Sequence, residues 1–346
     1  MINNIRNYTL NELIDELTKT GEKTFRAKQI YEWLHKHKIL SFDDASNVSK
    51  ELKNKLSDIF DLSFPEIDRE FISIDGTKKY LIKLQDGYKI ETVLMKYKYG
   101  YSICISSEVG CDMGCKFCAS TIGGMKRNLE VYELLAQIYL VERHNDINVS
   151  NIVIMGTGEP LCNFNNIIKF LTIINSKGGK NLSLRNVTIS TCGIVESINK
   201  LADINYQLTL ALSLHAPNQK IREKIMPIAS RYDIKEVMSA MANYFIKTGR
   251  RITFEYCLIK KVNDSVDNAK ELIELFKNSF KGKHIDFNVN LIPVNAVRES
   301  GLKRPEVDRI NKFKYILLEN KINVTIRREL GADISGSCGQ LRAKIK

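Results

Sequence analysis

No stretch of the 346-residue chain is apolar for long enough to cross a membrane. The longest β-rich run, Leu208 to Leu214, is broken by Thr209 and Ser213. The N-terminal MINNIRNYTLNELIDELTK lacks the continuous apolar core of a secretory signal and reads as an amphipathic helix after a Thr9/Asn11 start. Both absences lead to the expectation of a cytoplasmic protein with no membrane partner. There is no low-complexity tract and no short internal repeat. A composition of 44% hydrophobic and 27% charged residues excludes wholesale disorder. Without a secretory signal, the eight cysteines do not read as a disulfide framework. Acidic charge is in deficit, with 40 Asp and Glu against 52 Lys and Arg. Residues 1–98 are nearly balanced at 17 basic and 16 acidic side chains, so almost all of the formal +12 lies in residues 99–346. A field of that sign attracts and steers a polyanion, although it serves solubility as well.

The chain opens with Leu10, Leu13, Ile14 and Leu17 at helical spacing, and further helices are predicted in TFRAKQIYEWLHKH and SKELKNKLSDIF. KKYLIKL and YKIETVLMKY, separated by Gln85-Asp86-Gly87, predict a β-hairpin. These segments suggest a small N-terminal helical module plus hairpin over residues 1–98. From residue 102 the pattern alternates. Strand-like YSICIS, NIVIMG, NVTIST, LTLALSLH, ITFEYCLI, FNVNLIP and NVTIRR are separated by helical segments such as VYELLAQIYLVERH. Such a series predicts an α/β domain over residues 99–346, with a parallel sheet or barrel and a ligand site at the C-terminal ends of its strands. The glycine-rich and polar segments fall there: GTGEP (156–160), STCG (190–193), SLHAPN (213–218) and IPVN (292–295).

Three of the eight cysteines crowd into eight residues as Cys111-x₃-Cys115-x₂-Cys118, in the loop after the first strand of this series. Thiolates at that spacing suit zinc or an iron–sulfur cluster. A structural zinc wants a fourth ligand, commonly from a second short-spaced pair. The five histidines are scattered and no other cysteines pair closely. Three thiolates on a [4Fe–4S] cube leave one iron open to a ligand, as a substrate-binding metal requires.

A C-x₃-C-x₂-C loop after the first strand of a β/α series resembles the radical S-adenosylmethionine (SAM) superfamily, and GTGEP resembles its glycine-rich motif. Within that superfamily GCDMGCKFCAS, KRNL (126–129), VIMGTGEPL, ALSLHAPN, NLIPVN and CGQLRAK, together with FRAKQIYEWL, resemble the RlmN/Cfr family of RNA methyltransferases from about residue 25 to the C-terminus. The resemblance implies a partial (β/α)₆ radical-SAM barrel, one [4Fe–4S] cluster on Cys111, Cys115 and Cys118, and SAM on the open iron. It implies SAM contacts at Gly158, Glu159, Ser190, Ser213, Leu214, His215 and Asn295. The residue that carries a methyl group matches Cys338, its transient disulfide partner matches Cys104, and the proton acceptor matches Glu91. The implied substrates are an adenosine of 23S rRNA and the adenosine 3′ to the anticodon of tRNA. Methylation is expected at carbon 2, because SLHAPN and LIPVN are closer to the RlmN branch than to the Cfr branch, which modifies carbon 8. A low-potential electron donor such as flavodoxin or ferredoxin and a monomeric state are also expected.

Taken without the resemblance, Cys104 reads as a strand core residue, Glu91 as a solvent-facing strand carboxylate and His215 as a satisfied histidine. Cys338, beside Gly336 and Gly339, reads as a small residue in a pliable loop. A non-catalytic RNA-binding iron–sulfur protein is the alternative of a different class. The chain departs from the family's usual pattern at Thr157, Cys192 and Ser335-Gly336-Ser337. For RNA contact, Tyr97, Tyr99 and Tyr101 beside Lys96 and Lys98 combine stacking rings with positive charge.

Overall fold

The computed structural model describes residues 3–297 and 299–343. Three helices come first: α1 (Leu10–Lys19), α2 (Thr24–Glu32) and α3 (Lys50–Ile59). Thr9 and Glu12 close a reciprocal capping box that starts α1, satisfying backbone donors the first turn leaves unpaired. The segment expected to continue α2 widens into a π-helical turn at Trp33–His37, and Lys38 in the left-handed region ends it. The buried His35 ring nitrogen Nδ1 lies 3.1 Å from the Tyr139 hydroxyl of the barrel, and Lys38 pairs with Glu142 at 2.7 Å. These contacts dock the helical module on the barrel.

Strands β1 (Glu66–Ile72), β2 (Lys78–Lys83) and β3 (Lys89–Tyr97) form an antiparallel meander, and β3 pairs antiparallel with β4 (Gly100–Ile105). The expected hairpin is β2–β3, with Gly87 at φ +87° in its turn. β1 is an addition. It is an edge strand with four exposed and three half-buried residues, so it shows no apolar alternation to read. After β4, a two-stranded ribbon of β5 (Glu108–Val109) and β6 (Arg127–Asn128) brackets the cysteine loop.

The remaining strands are β7 (Val149–Ile154), β8 (Val187–Thr191), β9 (Thr209–Ser213), β10 (Ile252–Leu258), β11 (Phe287–Pro293) and β12 (Val324–Ile326). All six continue parallel from β4 in chain order. The crossovers carry α4 (Val131–Asn145), α5 (Phe164–Asn175), α6 (Val195–Ile204), α7 (Gln219–Ile225), α8 (Ile234–Thr248), α9 (Val266–Ser279) and α10 (Val307–Glu319). β1 and β12 are the two edges of one ten-stranded sheet, so the barrel is open, as a partial (β/α)₆ barrel should be. The expected boundary at residue 98 lies in the β3–β4 turn, and the sheet is continuous across it. Among the described residues no helix is long and apolar enough to cross a membrane.

Candidate functional site: one cysteine loop between two cavities

A cleft of about 990 Å³, part of it open to solvent, lies at the C-terminal ends of the parallel strands. Its lining includes Cys111, Cys115 and Cys118 on one side and Gly158, Glu159, Ser190, Ser213, His215, Asn295 and Cys338 around the rest. Ten of the thirteen candidates therefore meet in one place. Leu214 does not line the cleft; its side chain is fully buried, and only the neighbouring Ser213 and His215 reach the wall.

The cysteine loop is locked from several directions. Asp112 accepts from the Met125 backbone at 2.6 Å, and the Lys116 N–H donates to the Ile225 carbonyl at 3.0 Å. Burial pushes the Cys111 thiol up to about 12 and raises Cys115 and Cys118 as well. A buried thiol without a cation stays protonated, so this trio gains most from a metal that replaces its protons. Among the described residues no three His, Cys, Asp or Glu side chains converge as they would on a single ion. The thiols instead share the wall of one large cleft, which suits a body larger than one ion.

GTGEP is shaped by its backbone. Gly158 has φ +108°, and a Cβ there would meet the Ser107 hydroxyl at 2.6 Å and Glu108 Cβ at 2.7 Å. Glycine is the residue that this approach allows. Glu159 turns its carboxylate back into the loop, where Oε2 accepts from the Cys192 N–H at 2.7 Å and Oε1 from the Leu161 N–H at 3.0 Å. Burial raises its pKa above the usual carboxylate value. Its own N–H donates to Glu108 Oε2 at 3.0 Å, and burial pushes Glu108 up to about 7. The Ser190 and Ser213 hydroxyls lie 3.3 Å apart. His215, at φ +55°, accepts the Cys257 N–H on Nδ1 at 2.9 Å, which leaves the ring proton on Nε2. Burial pushes its pKa down to about 3, so the ring is a neutral donor.

Cys338 also lines a second cavity of about 660 Å³, together with Val93, Met95 and Cys104 from β3 and β4. The two cysteines are free thiols that interact electrostatically, and burial pushes Cys104 up to about 12. The segment carrying Cys338 is held on both flanks. Asp333 accepts from the Ser73 hydroxyl at 2.5 Å and the Ile74 N–H at 3.1 Å. Asp75 accepts from the Gly331 N–H at 2.9 Å. Asn295 donates to the Cys338 carbonyl at 2.8 Å, and the Ala119 N–H donates to the Gly339 carbonyl at 2.7 Å. The altered Ser335-Gly336-Ser337 stretch is thus still anchored, with the Ser337 hydroxyl on the Leu330 carbonyl at 2.8 Å.

Glu91 lines neither cavity. It is 4% exposed rather than solvent-facing, and its carboxylate pairs with Lys79 at 2.9 Å, leaving Oε2 without a hydrogen-bond partner. Lys79 also donates to the Ser335 carbonyl at 3.4 Å, which ties the carboxylate to the Cys338 segment. Two further residues escaped sequence reasoning. Arg327 lines both cavities and lies 3.7 Å from the buried Glu255 carboxylate. In the sequence Arg327 is one half of an Arg327-Arg328 doublet and Glu255 a carboxylate inside the strand-like ITFEYCLI, and neither position carries a motif.

Residues 105–279 match the radical SAM superfamily, and residues 3–62 match the ribosomal RNA large subunit methyltransferase N-terminal domain. The chain is 49% identical over 340 residues to a probable dual-specificity RNA methyltransferase RlmN of Clostridium novyi, covering 98% of this chain and 97% of that one. Identity is 51% over 339 residues to the corresponding protein of Lachnoclostridium phytofermentans, covering 98% and 94%. The chain belongs to the RlmN family. A radical SAM methyltransferase from Sphaerobacter thermophilus has the same fold, with a TM-score of 0.92 and 39% identity over 99% of this chain and all of that one. RlmN membership brings a [4Fe–4S] cluster and SAM as cofactors. The thiol-walled cleft, with the neutral His215 donor and the serine pair at its rim, fits both.

Proposed function

We propose that this radical SAM RNA methyltransferase methylates carbon 2 of an adenosine in 23S rRNA and of the adenosine 3′ to the anticodon in tRNA, using Cys338 as a methyl carrier. The observation that carries the reading is the position of Cys338, which lines both the cleft with the three-thiol wall and the cavity that holds Cys104. Ring carbons of adenine offer no nucleophilic lone pair, so ordinary methyl transfer does not serve. Cys111, Cys115 and Cys118 would hold the cluster, and Gly158, Glu159, Ser190, Ser213, His215, Asn295 and the backbone at Leu214 would hold SAM. When bound, the two supply one-electron cleavage chemistry that yields a carbon radical.

The remaining roles belong to the chain. Cys338 carries the methyl group as a thioether. Once the carbon radical has removed one hydrogen atom from it, the thioether carbon bonds to the ring carbon of the base in the outer cavity. Loss of the ring proton and of one electron, returned to the iron–sulfur site, leaves Cys338 and the base joined through that carbon. Glu91, paired with Lys79 and outside both cavities, is the final acceptor of the proton displaced from the adenine, which reaches it by relay. Cys104 attacks the Cys338 sulfur and releases the methylated base, leaving a disulfide that an external thiol must reduce. The enzyme works as a cytoplasmic monomer supplied with electrons by a flavodoxin or ferredoxin. The division into an accessory unit of residues 1–98 and a barrel of residues 99–346 is part of this proposal.

The test is mass spectrometry of nucleosides after turnover of the reconstituted, reduced enzyme with SAM carrying a deuterated methyl. The substrates are protein-free 23S rRNA and tRNA that lack the modification. Labelled 2-methyladenosine in both RNAs is the expected result. Labelled 8-methyladenosine would place the chain in the resistance branch, and no methylated adenosine despite SAM cleavage would refute the substrate assignment.

A further inference from the structure

The outer cavity has an aromatic edge that the chemistry above does not use. β3 ends at Tyr97 and β4 begins at Gly100, so Lys98 and Tyr99 form a tight turn. Tyr97 lines the outer cavity beside Cys104 and Cys338. Its ring is stacked on Tyr99, with centroids 5.0 Å apart and planes only 6° from parallel. Tyr99 remains 68% exposed, so the stack gains little from burial and its outer ring is open to solvent. Arg304 and Arg328 line the same cavity. Arg304 is held by Glu329, whereas Arg328 has no carboxylate partner among the described residues. Lys96 takes no part, because strand alternation sends it to the other face, where its ammonium lies over Tyr101.

We propose that Tyr97 and Tyr99 form a base-stacking platform at the mouth of the outer cavity, taking one unpaired nucleotide next to the target adenosine while Arg328 meets its phosphate. The inference rests on the RNA-methyltransferase reading and adds to it the residues that grip the strand. Parallel rings with one face open accept any base, because every base has a π-face, and a neighbouring arginine neutralises the backbone. A base seated on Tyr99 sets the adjacent nucleotide over the cavity that contains Cys104 and Cys338. Adenosine is thus selected inside the cavity, and the platform tolerates different flanking sequences, as two unrelated RNA contexts require.

The experiment uses the reconstituted enzyme and a short RNA hairpin with an unpaired target adenosine and 2-aminopurine as its neighbour. Stacking quenches the probe. Quenching is expected with the wild type and Tyr99→Trp and is expected to be lost with Tyr99→Ala. In turnover, Tyr99→Ala should raise KM about tenfold with kcat nearly unchanged. Arg328→Gln should weaken binding and reduce the salt slope by about one. Methylation of Cys338 without RNA, read from the mass of the intact protein, shows that each variant is folded and loaded. Equal quenching and equal KM in Tyr99→Ala would overturn the platform. Failure of the parent reading looks different: the wild type would bind and quench the hairpin but leave its adenosine unmethylated.

Discussion

The two cavities that share Cys338 are built for opposite kinds of guest. The inner one is walled by the thiols of Cys111, Cys115 and Cys118 and by Glu255, with Glu159 lining it while its carboxylate is turned back onto the Cys192 and Leu161 N–H groups. Burial discourages ionisation of the three thiols and of Glu159, so this cavity favours a partner that brings its own positive charge. The outer one is rimmed by Arg304, Arg327, Arg328 and Tyr97 and suits a polyanion that also stacks. Arg327 stands in the wall between them. The contrast teaches that the Cys338 segment is placed where a carrier must be, within reach of both chemistries, and that either side should be separable by substitution.

The largest effects come from breaking one side completely. Cys118→Ser should cut bound iron far below about four per chain and abolish SAM cleavage while RNA binding survives, measured by iron analysis and by filter binding of tRNA. Iron content at the wild-type level would remove Cys118 from the ligand set. The outer counterpart is Cys104→Ala. This variant should keep its iron and SAM cleavage but stall with RNA covalently attached through Cys338. Denaturing gels should show a slow band that collapses to free protein after nuclease treatment. Free, fully methylated RNA from Cys104→Ala would deny Cys104 its resolving role.

The contrast was only half legible in the sequence. The inner cavity was easy to find, because its residues sit at successive strand ends and short loops: Cys111 to Cys118, Gly158, Ser190, Ser213 and Asn295 each follow a strand that β-branched and apolar residues announce. The outer cavity draws on β3, β4, the end of β11, the segment after β12 and the C-terminal segment, far apart in sequence and without a motif that joins them. Tyr97 and Tyr99 could be noticed, but strand alternation alone did not say which rings stack. The polar edge strand β1 carries no periodicity, so the meander that anchors Asp333 through Ser73 was read as a hairpin. Glu91 looked solvent-facing because its ion partner, Lys79, is opposite in charge and on another strand.

That ion pair offers the next test, because Lys79 ties it to the segment that carries Cys338. Lys79 and Glu91 are 7% and 4% exposed, and Lys79 is the link to the Ser335 carbonyl. Lys79→Met strands the Glu91 charge in the interior and should cost about 3–5 kcal/mol in urea unfolding, whereas Lys79→Met with Glu91→Gln should recover most of it. Stability should recover in the double variant while RNA methylation stays low. Full activity there would separate the pair from catalysis and leave it a purely structural link.

The smallest expected effect is a pH dependence from Glu108, the carboxyl that accepts the Glu159 N–H behind the glycine-rich loop. Glu108 holds its proton up to about 7 because burial penalises its charged form, while an unfolded glutamate ionises near 4.5. Between those values the folded chain binds more protons than the unfolded one, so stability falls as pH rises across the window. The contribution is fully present below about 4.5 and is lost as pH passes through about 7, amounting to at most about 3 kcal/mol. Glu108→Gln preserves an acceptor for the Glu159 N–H and cannot ionise. Urea unfolding of the cluster-free protein at a series of pH values should therefore give a flatter profile for the variant, with the residual slope assigned to the similarly buried Glu159. Identical slopes in the two proteins would mean that Glu108 is already ionised when folded, and the Glu159 N–H would then donate to a carboxylate rather than to a carboxylic acid.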